Sequence, residues 1–400
     1  MKHWIQPLAA AMASARSVML GCATVWGGLL AAASGLAQAP PDPQDAPPPP
    51  PRVRPETPEL QAAADALRQH MKKMREVWVR YNTNLDKSQD QTLREQWFEL
   101  ERSGLPLHAN LVTAALNEYQ TDPPNKSALA DMLWRILDRN VEEDRYEGML
   151  PVAQALLAND YPEEKLVYNA AMTAFAVADF TALRPLLNQL AIDGQSSPML
   201  MAVQQDLDTL QQWWEEEQAA RQADAAGEPL PRVMIHTTKG DIEVELFENQ
   251  APETVANFIH LAESGFYEGQ TFHRVLEHFM AQTGCPIGDG TGGPGYTIYN
   301  EKDKPGARKF FRGTLGMALS EDPNSAGSQF FITFVPTYQL NAGFTAFGRV
   351  ISGMEVLSNI VRVNPEEKKD DSEPAEMLDE IISIEVLSKR DHAYEPNRVQ

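Results

Sequence analysis

The chain has 400 residues, 43% of them apolar and 22% charged, and carries a formal net charge of −22; that is too much chain for one ordinary core and a composition typical of folded proteins. Residues 40–229 hold 17 basic against 31 acidic side chains and residues 230–400 hold 15 against 25, so both regions repel phosphate backbones and anionic lipid, which argues against nucleic-acid partners. Two cysteines, Cys22 and Cys285, exclude a disulfide framework, and Cys285 reads as a buried, inert thiol without a redox partner.

Lys2, His3 and Arg16 precede a mostly apolar run over residues 17–36, and Ala37-Gln38-Ala39 supplies a small-residue cleavage pattern. Residues 1–39 therefore read as a secretory signal peptide. Pro40 follows the cut directly and hinders cleavage, so an uncleaved membrane anchor stays open as a second reading. Met19-Leu20-Gly21-Cys22 leaves a lipoprotein site as a third. Each predicts an exported protein, whether periplasmic, held in the cell envelope or secreted, with membrane contact only if the leader is retained. Residues 40–58 contain ten prolines and predict an extended polyproline II spacer, or a ligand for an aromatic groove.

Residues 59–226 predict an all-α array. Leu60, Ala64, Leu67, Met71 and Met74 recur at three- and four-residue steps, as do Leu129, Met132, Leu133 and Ile136. Breaks at Thr121-Asp122-Pro123-Pro124, near Pro151, at Asp160-Tyr161-Pro162 and at Asp193-Gly194 divide the stretch into helices of about 12–18 residues. Tyr168-Asn169-Ala170-Ala171 and Ala178-Asp179-Phe180 resemble part of a tetratricopeptide-like hairpin, although no clean internal period supports a named repeat. Trp213-Trp214-Glu215-Glu216-Glu217 reads as one tryptophan packed inward beside a solvated acidic face, or as a docking patch. His70 and His108 are isolated and suit local hydrogen bonds better than a metal. Such an array fits a protein-binding role with an unidentified partner.

After a linker over residues 225–229, Val233-Met234-Ile235-His236-Thr237-Thr238 and Ile242-Glu243-Val244-Glu245-Leu246 predict a hairpin turning at Lys239-Gly240-Asp241. Pro252 opens an amphipathic helix whose apolar side is Val255, Phe258, Ile259 and Leu261. The short strands that follow predict a closed antiparallel β-barrel capped by helices. Residues 364–377 predict a loop, residues 380–387 the closing strand, and residues 391–400 a frayed tail.

Residues 272–348 are the most informative part of the chain. Phe272-His273-Arg274, Phe279-Met280-Ala281-Gln282, Gly292-Gly293-Pro294-Gly295-Tyr296, Gly316-Met317-Ala318, Ser325-Ala326-Gly327-Ser328-Gln329-Phe330-Phe331-Ile332 and Phe347-Gly348-Arg349-Val350 follow in order. Over residues 231–390 the chain resembles the cyclophilin-type peptidyl-prolyl cis–trans isomerases. The resemblance implies the closed barrel and an activity on proline-containing polypeptide clients without cofactor or metal. The bond before proline resists rotation by about 18–20 kcal/mol because of amide resonance, while cis and trans differ by only about 0.5–1 kcal/mol. A catalyst needs only to bind the twisted bond better than either planar form.

The resemblance assigns Arg274 as the catalytic cation that draws the prolyl nitrogen lone pair from the carbonyl; a barrel arginine paired with a carboxylate is the plain alternative. It assigns Gln282 to the substrate backbone and to steadying Arg274. Phe279, Met280, Phe331 and Leu340 match the proline pocket, Phe344 its rim, and Ala318 the substrate groove; alone, each apolar residue would be ordinary core. His273 reads as structural, since it alternates away from Arg274 on a strand. Gly288-Asp289-Gly290-Thr291-Gly292-Gly293-Pro294-Gly295 lacks the Gly-Lys-Ser/Thr of a phosphate loop and reads as a tight surface loop beside the groove. Leu319 departs from a frequent asparagine. Gln339 departs from a tryptophan linked with cyclosporin binding, Phe344 from a histidine, and Thr283 and Cys285 from a glycine and an aspartate. The reading is an exported prolyl isomerase that assists folding of other exported proteins. A non-catalytic proline-binding module and a structural envelope protein are its rivals.

Overall fold

The computed structural model describes residues 55–84, 87–366 and 378–399. The leader, residues 40–54 of the proline-rich stretch and most of the 364–377 loop lie outside the described residues. Among the described residues seven α-helices precede the strands: α1 Pro58–Thr83, α2 Asp90–Thr121, α3 Ser127–Glu142, α4 Leu150–Leu157, α5 Leu166–Ala176, α6 Phe180–Asp193 and α7 Pro198–Ala226. The predicted breaks separate them, but α1, α2 and α7 run to 26, 32 and 29 residues, longer than expected. Pro106 lies inside α2 rather than ending it. Sequence chemistry sets several ends. Thr57, Asp179 and Ser197 accept from the main-chain N–H groups of Leu60, Ala182 and Leu200 at 3.3, 2.9 and 3.3 Å. Gly194 closes α6 in the left-handed conformation. Among the described residues no helix is long and apolar enough to cross a membrane.

The chain forms two compact units. One holds the described residues up to Leu137 together with Pro151–Glu163. In it α1 packs on α2, with Met74, Val77, Tyr81, Leu93 and Trp97 forming a small core. His70 is buried there and bonds the Leu100 carbonyl at 2.8 Å, the local role expected of it. The other unit holds Asp138–Leu150, Glu164–Pro374 and Leu378–Gln400, and so combines α5, α6 and α7 with every strand. In this unit α5 and α6 pack as a hairpin, and α6 packs on α7.

The strands are β1 Arg232–Thr237, β2 Gly240–Leu246, β3 Arg274–Leu276, β4 Met280–Thr283, β5 Thr314–Met317, β6 Phe330–Thr333, β7 Ala346–Ser352 and β8 Ile381–Ser388, with helices α8 Pro252–Glu263 and α9 Met354–Ser358 between them. The β1–β2 hairpin turns at Thr238-Lys239, Thr237 pairing with Gly240. The strands form one antiparallel sheet in the order β3-β4-β6-β5-β7-β2-β1-β8. The expectation of a closed barrel is thus corrected to an open half-barrel with β3 and β8 as its ends. Closure needs a continuous ladder, and β3 has only three residues. Beside these ends, only the isolated bridges Thr271↔Glu380 and Val275↔Val363 form among the described residues. Val255, Phe258, Ile259 and Leu261 of α8 are buried as predicted, in a core with Phe330, Ile332 and Phe347.

The frayed tail is also corrected. Tyr394 is buried and donates to Glu248 Oε2 at 3.2 Å. Val399 N donates to the Thr297 carbonyl at 2.8 Å, and the Arg398 guanidinium lies 4.2 Å from the Tyr296 ring centroid. An aromatic anchor and a strand-like end outweigh the tendency of termini to fray.

Candidate active site

Strand alternation sorts the sheet residues into two sets. Val275, Ala281, Leu315, Met317, Phe330, Ile332 and Phe347 enter the main core. Their neighbours form a row across five strands. Arg274 pairs with Gln282, Gln282 with Phe331, Phe331 with Gly316, and Gly316 with Ala346. Cross-strand partners share a face, so residues scattered over 274–346 meet on one surface.

On that surface Met280, Phe310, Phe331 and Ala346 are buried as a second apolar cluster, with Phe279, Ala318, Leu340 and Phe344 packed against it, partly exposed. All six apolar residues predicted for substrate contact therefore come together. Phe331 stacks on Phe310 at 5.5 Å between centroids and meets Phe344 edge-on at 5.7 Å, the offset and edge geometries aromatic rings favour. Gly316 makes room: a Cβ there would lie 2.3 Å from Phe331 and 2.5 Å from Phe310. The Arg274 guanidinium stands 5.8 Å from the Phe279 ring centroid. Gln282 Nε2 donates to Gln329 Oε1 at 3.0 Å, and Gln329 Nε2 donates to the Gly290 and Gly292 carbonyls at 2.8 and 2.9 Å. This chain of amides ties the β4 strand to the glycine-rich loop.

A profile described as "Cyclophilin type peptidyl-prolyl cis-trans isomerase/CLD" matches residues 232–386. A "Peptidyl-prolyl cis-trans isomerase" of Synechococcus elongatus is 48% identical over 121 residues, 30% of this chain and 80% of its own length. The chain belongs to the cyclophilin family. A "Peptidyl-prolyl cis-trans isomerase-like 1" of Aspergillus fumigatus is 44% identical over 145 residues, 35% of this chain and 88% of its own. The crystal structure of a Cryptosporidium parvum cyclophilin-type isomerase is 34% identical, covering 40% of this chain and 99% of that one at a TM-score of 0.35. The enzyme class is peptidyl-prolyl cis–trans isomerase.

In this cyclophilin the departures fall into distinct places. Leu319 packs against the main core rather than the second cluster. Gln339 is exposed. Thr283 is buried and donates to the Thr271 carbonyl at 3.0 Å. Cys285 is buried as expected. Burial raises its thiol pKa, but N–H groups of Gly292, Ile287, Gly288 and Gly290 outweigh that and hold it below the ordinary thiol range. His273 is buried, and burial holds its imidazole below the usual histidine range. A Cβ on Gly290 would lie 3.6 Å from its Nε2, which places the ring under the glycine-rich loop.

Phe310, Ala346, Gly316 and Gln329 were not singled out as site residues from the sequence. Gly316 and Gln329 lie inside quoted motifs, and Gly316 between apolar Leu315 and Met317 was a readable sign of close approach. Phe310 lies between strands and had no such sign. The Trp-Glu run on α7 is corrected in part. Trp214 does pack inward, 4.7 Å from Phe311 between centroids, and Glu215 and Glu216 are exposed. Glu217, however, is buried and accepts from Arg308 Nε and Nη2 at 2.7 Å each, while Arg308 Nη1 donates to Asp224 at 2.6 Å. Arg308 also lies 4.1 Å from the Phe247 ring centroid. Burying one arginine by this bidentate pairing fixes the segment that seats Phe310. Among the described residues no group of three His, Cys, Asp or Glu side chains could hold a metal ion.

Proposed function

We propose that this isomerase works by arginine-assisted weakening of imide resonance. The proline ring is held by Phe279, Met280, Phe331, Leu340 and Phe344. Arg274 directs its guanidinium at the prolyl nitrogen and stabilises the pyramidal form that exists only in the twisted bond. Gln282 binds the substrate backbone and steadies Arg274, and the main chain at Ala318 lines the groove. The observation carrying this is the row Arg274–Gln282–Phe331 across three neighbouring strands, with the apolar cluster beside it. Guanidinium keeps its charge at every physiological pH, so the step needs no proton transfer.

The clients we propose are exported polypeptides, with the protein acting in the periplasm, cell envelope or extracellular space. The supporting features are the apolar run and small-residue pattern at 17–39 and the proline-rich spacer after them. The helices before β1 are proposed to recruit a protein partner, with the α5–α6 pair as a tetratricopeptide-like element. Cis–trans exchange of a Xaa-Pro peptide, followed by magnetisation transfer with the wild type and Phe331→Ala, tests the site. Retention of the wild-type rate by a folded Phe331→Ala would remove the pocket from its role. Proximity labelling of extracytoplasmic against cytoplasmic clients tests the location.

A further inference from the structure

Asp144 lies between α3 and α4, far before the family match begins at residue 232, yet it belongs to the unit that holds the strands. Its side chain is fully buried, and it takes a left-handed φ of 58°, a conformation aspartate tolerates better than most residues. Oδ1 accepts from the His278 main-chain N at 3.1 Å, from His278 Nδ1 at 2.9 Å and from the Tyr146 hydroxyl at 3.0 Å. Oδ2 accepts from Arg362 Nη2 at 2.8 Å. Its main-chain carbonyl accepts from Arg312 Nη2 at 2.8 Å and from Ser358 Oγ at 3.0 Å. Tyr146, also buried, places its hydroxyl 2.8 Å from His278 Nδ1.

His278 is the turn residue between β3 and β4, itself at a φ of 54°. That hairpin carries Arg274 on one arm and Met280 and Gln282 on the other, with Phe279 adjoining the turn. Its outer arm is a three-residue end strand, secured on the far side by the isolated Val275↔Val363 bridge. Arg362 directly precedes Val363. One carboxylate thus grips the turn of the hairpin through His278 and the segment bridged to its outer arm through Arg362. A short end strand has few ladder bonds to fix its tilt, and a displacement of about 1 Å in a reacting group can cost on the order of a hundredfold in rate.

We propose that Asp144 is a positioning residue for the isomerase reaction, supplied by a segment outside the family domain, which sets Arg274 against the apolar slot through His278. The proposal rests on the assignment of Arg274 made above. Asp144→Asn keeps an acceptor for the histidine and tolerates the left-handed backbone but drops the charge held by Arg362. Tyr146→Phe removes one hydroxyl from the cluster and nothing from the slot.

The test uses the full chain and measures kcat and KM for a Xaa-Pro peptide, the thermal midpoint and the Arg274 Nε–Hε resonance. The expected result is a kcat lowered about tenfold in Asp144→Asn and about threefold in Tyr146→Phe, with KM within about twofold of wild type and the Arg274 resonance displaced. A merely structural role would lower the midpoint without displacing that resonance or splitting kcat from KM, and that pattern overturns the proposal. If Asp144→Asn does not fold, Tyr146→Phe decides alone, and wild-type kcat there counts against it. Arg274→Ala is run alongside. If it is inactive while both other variants keep wild-type kcat, only the positioning role falls. If Arg274→Ala keeps its rate, the arginine mechanism and this proposal fall together.

Discussion

Gly316 stands directly opposite Phe331 in the β5–β6 ladder, and a Cβ on residue 316 would lie 2.3 Å from that ring. Phe310, at 2.5 Å, closes the other side, so the slot has no spare volume at its floor. Gly316→Ala forces both rings to move, and overpacking of this kind costs about 1–3 kcal/mol. The expected outcome is a lower unfolding midpoint and a KM for proline peptides raised about tenfold or more, since 1.4 kcal/mol is a factor of ten. Isothermal titration with a proline peptide, together with thermal unfolding, checks both effects.

Glu217 joins α7 to the segment before β5 through Arg308, both side chains being almost wholly buried. Removing one partner of such a pair leaves an uncompensated charge and costs about 3–5 kcal/mol. Arg308→Met keeps most of the packing against Phe247 and isolates the charge effect. A large fall in the urea midpoint is expected, and a change below about 1 kcal/mol would show that the pair contributes little.

The same pair sets a pH dependence. Burial alone would raise the Glu217 pKa, but the hydrogen bonds and charges of Arg308 and Arg221 outweigh it and hold the carboxyl below its ordinary 4.5. A depressed folded-state value stabilises the fold above the unfolded-state pKa, and that contribution is lost as pH falls through the lower folded value. Wild type is expected to lose stability below about pH 4.5. Glu217→Gln should be less stable at neutral pH and show a shallower acid slope. Urea unfolding at several pH values reads that slope directly.

The β3–β4 hairpin and the slot were legible because their residues sit in short motifs whose order and spacing survive in one dimension. Arg274 and Gln282 flank a tight turn, and Phe331 and Leu340 follow recognisable strings. What escaped was set by register or by distance along the chain. Phe310 reaches the slot from an irregular segment, and Arg308 meets Glu217 across 91 residues. No local pattern marks Asp144, whose partners, Tyr146 aside, lie far along the chain at 278, 312, 358 and 362. The open sheet followed from the shortness of β3, a length that apolar periodicity does not resolve. Tyr394 anchors an ending that polar composition alone suggests is loose.

Gln339 stands exposed at the position where the family resemblance implies a tryptophan linked with cyclosporin binding. Wild type is expected to bind cyclosporin weakly. Gln339→Trp should bind it at least about tenfold more tightly, an indole adding on the order of 1–2 kcal/mol of contact, with peptide turnover little changed. Competitive inhibition of the exchange assay measures this, and equal inhibition of both proteins would count against it.

The proposed mechanism turns on Arg274, since the remaining slot is apolar and its amides are neutral. The most direct measurement is the exchange rate of a Xaa-Pro peptide with wild type, Arg274→Lys and Arg274→Ala, all verified as folded. A preorganised electrostatic group is worth about a hundred- to a thousandfold in rate. The account predicts a loss of that size in Arg274→Ala with peptide binding retained, and only partial recovery in Arg274→Lys, whose ammonium lacks the rigid fork. An Arg274→Ala protein that exchanged the peptide as fast as wild type would contradict it.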